Sequence, residues 1–316
     1  MKRLKIWIII LCVELLAIFG LLILISVTRS HSKPLPFEID QALRKNLNFD
    51  FQEKTEENYW AFVNQRFILI NDEEGVLQWV KIDNEFGRNS YDFTDALIED
   101  EYFRYYTENG EVTSSVGIDV SRYQGNINWA QVKEAGVDFA FVRLGFRGYG
   151  NGKIVLDDTF AQNVSGALNN GIHTGVYFYS QATSYEEGVE EARFVLQNIR
   201  AYNIDLPIVL DTEDAENEDA RTVGLTVEQR TDACLGFLET IYESGYPVML
   251  YANLRWIALS LDVTRLHGYD IWFAQYADEP RLPYEYKIWQ YSKEGAVPGI
   301  SRPVDLNIGF DHYGAW

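Results

Sequence analysis

Pro207-Ile208-Val209-Leu210-Asp211-Thr212-Glu213 is the stretch on which the reading of this chain turns. A short apolar run meets two carboxylates at i and i+2. In a strand the period of two sends both to one side, where they can act on a single substrate. Carboxylates so placed suit glycosidic bond cleavage: one donates a proton to the leaving oxygen while another anion supports the positive charge developing on the sugar. The competing reading is a solvated acidic loop, because Asp214, Glu216, Glu218 and Asp219 follow at once.

On both sides of this stretch the pattern alternates strand and helix. Upstream, Val116-Gly117-Ile118-Asp119-Val120 reads as a strand, and Asn128 caps a helix with Trp129, Val132 and Ala135 on one face before Gly136 ends it. Phe139-Ala140-Phe141-Val142 is the next strand, followed by a helix from about 158 to 169 with Phe160, Val164, Ala167 and Leu168 inward. Residues 172–179 form the third strand, and Ser184 with Glu187 makes a capping box ahead of Val189, Ala192, Leu196 and Ile199.

Downstream, Thr226 and Gln229 form a second capping box. The helix they open has the apolar stripe Cys234, Phe237, Leu238 and Ile241, which makes Cys234 a core residue. Val248-Met249-Leu250-Tyr251 is the fifth strand, trailed by a short helix around 254–259. Strand candidates at 271–274, 286–289 and 303–306 leave little room for further helices. The pattern predicts an α/β fold over 116–316, an irregular (β/α)5(β)3 TIM-like barrel with five βα units and three bare strands.

The 316 residues allow one large domain and something smaller, and 47% hydrophobic content supplies a substantial core. A formal net charge of −20 argues against nucleic acid and against adhesion to anionic lipid headgroups. Residues 6–27 form a nearly unbroken apolar run of 22, interrupted by Glu14. At about 1.5 Å per residue it reaches roughly 33 Å, enough to cross a bilayer. Three basic residues in the preceding 1–5 tail keep the N-terminus cytoplasmic and send the remainder outside. A cleaved signal peptide is the rival, but its apolar core is about 7–15 residues followed by a small-x-small site. Ser26-Val27-Thr28-Arg29 does not match that site.

Cys12 lies inside the run and Cys234 in the globular part, so no disulfide joins extracellular positions. After a linker at 28–36 comes a region, 37–110, expected to be a small acidic α+β module or stalk. From 34 to 110 it carries 17 Asp+Glu against 7 Lys+Arg, a net of −10 and half the charge of the chain. Phe67-Ile68-Leu69-Ile70 and Val76-Leu77-Gln78-Trp79-Val80, flanking Asn71-Asp72-Glu73-Glu74-Gly75, read as a β-hairpin.

Barrel sites lie at the C-terminal strand ends. Asp119, Asp211, Glu213 and Asp305 are the acids expected there, gathered when the last strand closes against the first. Gly117-Ile118-Asp119-Val120-Ser121-Arg122-Tyr123-Gln124-Gly125, Leu210-Asp211-Thr212-Glu213, Trp289-Gln290-Tyr291-Ser292 and Val304-Asp305-Leu306-Asn307 occur in order. As a set, over roughly 116–310, they resemble the signatures of the glycoside hydrolase family 25 lysozymes, the Chalaropsis-type muramidases.

The resemblance implies cleavage of the β-1,4 bond between N-acetylmuramic acid and N-acetylglucosamine in peptidoglycan. Glu213 matches the family's general acid. Asp211 matches its partner, either an anion facing the oxocarbenium ion or a group holding the substrate's acetamido as internal nucleophile. Asp119 and Asp305 match the flanking acids. Tyr177, Tyr179, Tyr251, Trp272, Tyr276 and Trp289 are candidate substrate-binding aromatics, with Tyr179, Tyr251 and Trp289 foremost.

The four histidines, 31, 173, 267 and 312, show no ligand spacing, so neither a metal nor another cofactor is expected. The expected partners are peptidoglycan glycan strands, the bilayer through residues 6–27, and a protein partner for the 37–110 region, with no nucleic acid. Two other readings stay open. One is a catalytically weak wall-binding or scaffold protein of a wall-processing assembly; the other is a barrel hydrolase whose acids hold a divalent metal.

Overall fold

The computed structural model describes residues 66–71, 77–215, 217–311 and 313. The expected tail, membrane span and linker lie outside these residues, as do all of 37–65, Cys12, Glu216, His31 and His312. Among the described residues no helix is long and apolar enough to cross a membrane.

The chain divides into two compact units, Met1–Ile82 and Asp83–Trp316. In the first, β1 (Phe67–Asn71) and β2 (Leu77–Lys81) pair antiparallel from Phe67↔Lys81 to Asn71↔Leu77, the hairpin that the sequence predicts. The division at 82/83 differs from the boundary expected between 110 and 116, and residues 83–112 belong to the same unit as the barrel. They include a small antiparallel sheet of β3 (Leu97–Glu99), β4 (Arg104–Glu108) and β5 (Glu111–Val112). The β4–β5 turn is Asn109-Gly110, with φ of 52° and 83°, the left-handed pair that a two-residue hairpin demands.

Eight strands close the barrel: β6 (Ser115–Val120), β7 (Phe139–Arg147), β9 (His173–Tyr179), β10 (Ile208–Asp211), β11 (Val248–Asn253), β12 (Asp270–Ala274), β13 (Ile288–Gly295) and β14 (Val304–Gly309). The short β8 (Ile154–Leu156) pairs with β7 outside the ring. β6 to β13 run parallel, and β14 is antiparallel to both β13 and β6.

The connections are α1 (Trp129–Glu134), α2 (Phe160–Asn169), α3 (Tyr185–Ile199), α4 (Val227–Glu243) and a single π-type turn at Trp256–Ser260, so the five-plus-three arrangement holds. The Thr226/Gln229 capping box forms in both directions, and the α4 stripe including Cys234 is buried. Burial pushes the Cys234 thiol up to about 12, as befits a core group. The Ser184 box forms only halfway: Ser184 accepts from the Glu187 amide, but the Glu187 carboxylate turns to Thr183 and Arg221.

Inside the barrel every second residue points to the axis. Phe139 and Phe141 fill the lower layers because Gly117 and Gly175 face them, where any Cβ would collide with the rings. Above them Trp272 stacks on Phe141 at 4.7 Å, with Tyr251 edge-on to Trp272 at 4.8 Å. The outer faces of the helix-less strands are covered by residues 83–112. Tyr91 stacks on Phe310 at 4.2 Å and bonds Asp311, Asn89 donates to the Tyr286 hydroxyl, and the Arg104 amide donates to the Tyr291 hydroxyl.

Candidate active site

β10 ends at Asp211, and the Thr212 amide still donates to the Tyr251 carbonyl at 3.3 Å. Thr212 turns outward, where its hydroxyl accepts from the Trp256 indole at 3.0 Å, so Asp211 and Glu213 share the inner side. They line a cleft of about 1020 Å³ at the C-terminal end of the parallel strands, together with Asp119 and Asp305. Asp305 reaches this end from the opposite direction. It stands near the start of β14, and the antiparallel register sets it directly opposite Asp119.

Asp119 is buried, and its Oδ2 accepts from the Gln290 and Asn307 side-chain amides, each at 2.9 Å. Both amides are oriented from behind. The Tyr251 and Tyr276 hydroxyls donate to the Gln290 Oε1 at 2.9 Å, and the Trp272 indole donates to the Asn307 Oδ1 at 2.8 Å. With their oxygens occupied, the two amides have only N–H groups to offer Asp119. Burial pushes Asp119 up to about 6 against the downward pull of these two donors.

Asp211 differs. Its Oδ1 is buried without a hydrogen-bond partner. Burial first, then repulsion from Glu213 and Asp119, raises it well above the usual carboxylate range, while Arg143 pulls the other way. Burial and the Asp119 charge take Asp305 up to about 8. Arg143 is engaged elsewhere, its Nε and Nη2 lying 2.8 and 2.7 Å from Asp157 Oδ2. The cleft floor therefore gathers three carboxyls whose burial raises their affinity for protons.

The aromatic candidates divide. Tyr179 and Tyr276 line the cleft, Tyr276 being 51% exposed. Tyr177, Tyr251 and Trp272 also reach it, the last two from the buried layer beneath, where they steer the amides. Trp289 does not line the cleft. It occupies the outer face of β13, fully buried beneath Phe93 and Arg104, and its indole donates to the Gln275 carbonyl. The inward position belongs to its neighbour Gln290. Sequence reasoning missed Gln290 and Asn307 as partners of Asp119; the signal was the period of two, which places Asn307 beside Asp305.

His173 pairs with Asp205 and His267 with Asp83, both away from the cleft lining. Among the described residues no group of three or more His, Cys, Asp or Glu is placed to hold a metal ion.

A closed α/β barrel with its carboxylates gathered at the strand ends belongs to the class whose ligand sites lie at that face. The profile of glycosyl hydrolases family 25 matches residues 118–300, more than half of the chain, and the chain belongs to that family. It is 31% identical over 210 residues to lysozyme M1 of Streptomyces globisporus, covering 62% of this chain and 68% of that protein. It is 27% identical over 192 residues to the autolytic lysozyme of Clostridium acetobutylicum, covering 60% of this chain and 54% of that protein, so it spans about half the length of this relative. Among solved structures, the bacterial lysozyme of Streptomyces coelicolor matches with a TM-score of 0.52 at 28% identity, covering 62% of this chain and 92% of that one.

Proposed function

We propose that this chain is a membrane-anchored muramidase that hydrolyses the β-1,4 bond between N-acetylmuramic acid and N-acetylglucosamine of peptidoglycan, in wall remodelling or lysis. One observation carries the reading: Asp119, Asp211, Glu213 and Asp305 share one cleft in a chain whose relatives are named lysozymes. Repulsion between the adjacent Asp211 and Glu213 carboxyls favours one proton on the pair. Glu213 is the more accessible of the two. It passes that proton to the glycosidic oxygen as the bond to the sugar carbon breaks. The Asp211 carboxylate then faces the oxocarbenium ion or holds the acetamido group, and water completes the hydrolysis. Asp119 and Asp305 keep the network's protonation, and Tyr179 and Tyr276 offer faces to the sugar rings.

The anchor is residues 6–27, with 1–5 cytoplasmic, 28–36 a linker and the barrel outside. The apolar run and its basic flank support this. The acidic 37–110 region is the part assigned to a protein partner.

The test is clearing of peptidoglycan by the purified full chain in detergent and by Glu213→Gln. The amide is nearly isosteric but cannot give the proton, so activity should fall by about 10²- to 10⁴-fold with the fold intact. Turnover within about threefold of the parent refutes the acid assignment, and a parent that clears nothing refutes the muramidase reading. For the anchor, protease added to intact protoplasts should remove the globular part and leave a short N-terminal fragment; mature protein beginning near Thr28 in the medium would show a cleaved signal instead.

A further inference from the structure

Three arginines line the cleft, and their partners differ. Arg143 is held by Asp157, and Arg147 by Glu190 and Glu191 at 2.8 and 2.6 Å. Arg122 is exposed and has no carboxylate partner among the described residues. Its position is nevertheless defined. Ser121 and Gln124 form a reciprocal capping box around the turn that carries it, and the Arg122 amide donates to Asp157 at 3.2 Å. Its guanidinium lies over the Tyr123 ring at 5.3 Å and the Phe146 ring at 5.4 Å, the same two rings that Arg143 covers at 5.1 and 5.6 Å. Arg302 adds a third cation nearby through its hydrogen bond to the Tyr123 carbonyl.

With Arg143 and Arg147 balanced by Asp157, Glu190 and Glu191, Arg122 is the cleft-lining arginine left without a carboxylate partner among the described residues. The hydrogen bond from Arg122, aided by the nearby cations, lowers the Tyr123 phenol from its ordinary value. Burial and the carboxylates raise Tyr177, Tyr251 and Tyr276 across the cleft.

An exposed guanidinium with no carboxylate partner among the described residues, lining an otherwise acidic cleft, is arranged for an anionic ligand, because its fork geometry suits carboxylates and its bond to the Tyr123 phenol uses only part of its N–H groups. A strand stripped of peptide offers only the lactyl carboxylate of N-acetylmuramic acid, held close to the sugar ring. In a peptide-bearing strand that group is an amide, and the anions are the peptide's own free carboxylates, which reach further from the glycan. We propose that Arg122 is a specificity-determining residue that binds a carboxylate of the muramoyl-linked peptide, so that the cleft prefers peptide-bearing strands with free carboxylates over stripped or amidated ones. This deepens the muramidase reading and rests on it.

The test uses the full chain in detergent on three matched glycan preparations at low ionic strength: peptide-bearing with free carboxylates, the same with those carboxylates amidated, and strands stripped of peptide. The parent should favour the first by about tenfold in kcat/KM, carried mainly by KM, with the preference shrinking as salt is added. In Arg122→Gln the preference should collapse to under about twofold, and Arg122→Lys should keep part of it as a point charge.

A parent that cleaves all three preparations equally, or stripped strands as well as peptide-bearing ones, overturns the proposal while leaving the muramidase reading standing, the second outcome assigning Arg122 to the lactyl carboxylate. So does a Gln variant that loses equal activity on all three, since a purely structural role would do that. A parent that cleaves none overturns the muramidase reading itself. A fourth preparation bearing wall phosphate polymers but amidated peptides separates the sources of negative charge; recovery of the full preference there assigns Arg122 to phosphate and overturns the carboxylate assignment.

Discussion

Two regions of this barrel bury carboxylates, and they do so in opposite ways. Between β7, the loop that follows it and α3, each buried or half-buried acid meets an arginine. Burial works to raise Asp157, yet bonds from Thr159 and Arg143 hold it below the usual range. Glu187, bidentate with Arg221 and bonded to Thr183, ends at about 2 despite burial. Glu191, with no exposed surface, is driven by burial to about 7 even with Arg147 at 2.6 Å and Ser180 bonded to its other oxygen. On the cleft floor no arginine among the described residues pairs with Asp119, Asp211 or Asp305, and all three are raised. Acids in the first region hold elements together; those on the floor have no arginine beside them among the described residues and a raised affinity for protons, so they can exchange protons with something that enters.

The sharpest way to break this contrast is Asp211→Asn. Turnover on glycan strands should drop by about 10²- to 10⁴-fold, while binding of wall fragments and folding stability are retained, because the lost interaction belongs to the transition state. Near-normal turnover, or a variant that unfolds, would move Asp211 into the structural group. The reciprocal change is Arg147→Ala, which strands Glu191. Urea unfolding at pH 7.5 should show a loss of about 3–5 kcal/mol. The loss should shrink at pH 5.5, where Glu191 can take up a proton instead.

The smallest effect belongs to Asp305→Asn. Folding favours the protonated acid, whose value moves from 3.8 to about 8. Its contribution to stability is therefore complete below about pH 4 and drains away as the pH rises toward 8. Thermal melts of the parent should decline across that interval and those of the variant should decline less. Parallel curves would mean that Asp305 is not desolvated by its surroundings.

Much of this arrangement was legible in the residues. The strands that carry Asp119 and Asp211, the caps at Asn128 and Thr226, and the Cys234 stripe all follow from local periodicity and capping chemistry, which need no knowledge of distant neighbours. What was not legible depends on pairing across the chain. The direction of β14 is set by closure against β6 and β13, not by anything in Val304–Gly309 itself. Trp289 and Gln290 are adjacent, and only the covering of β13 by Phe93 and Arg104 decides which one faces out. Glu191 reads as a solvated position of α3 until Arg147 arrives from 44 residues away. The same long reach moved the boundary: residues 83–112 look like part of an acidic module until the bare strands they cover are known.

That covering has a consequence for the order of events in time. Asn89 meets Tyr286, and Tyr91 meets Asp311, across separations of 197 and 220 residues. Contacts of such high sequence separation form late, because the loop they close must be ordered first. Until β14 docks, β6 and β13 are open edges able to pair with other chains, and Asp119 has neither Asn307 nor its opposite number Asp305. A nascent chain therefore carries no finished cleft until β14 has been made: the four carboxylates come together only after Asp305 is in place, and a product truncated before Val304 is exposed to aggregation and has no assembled site.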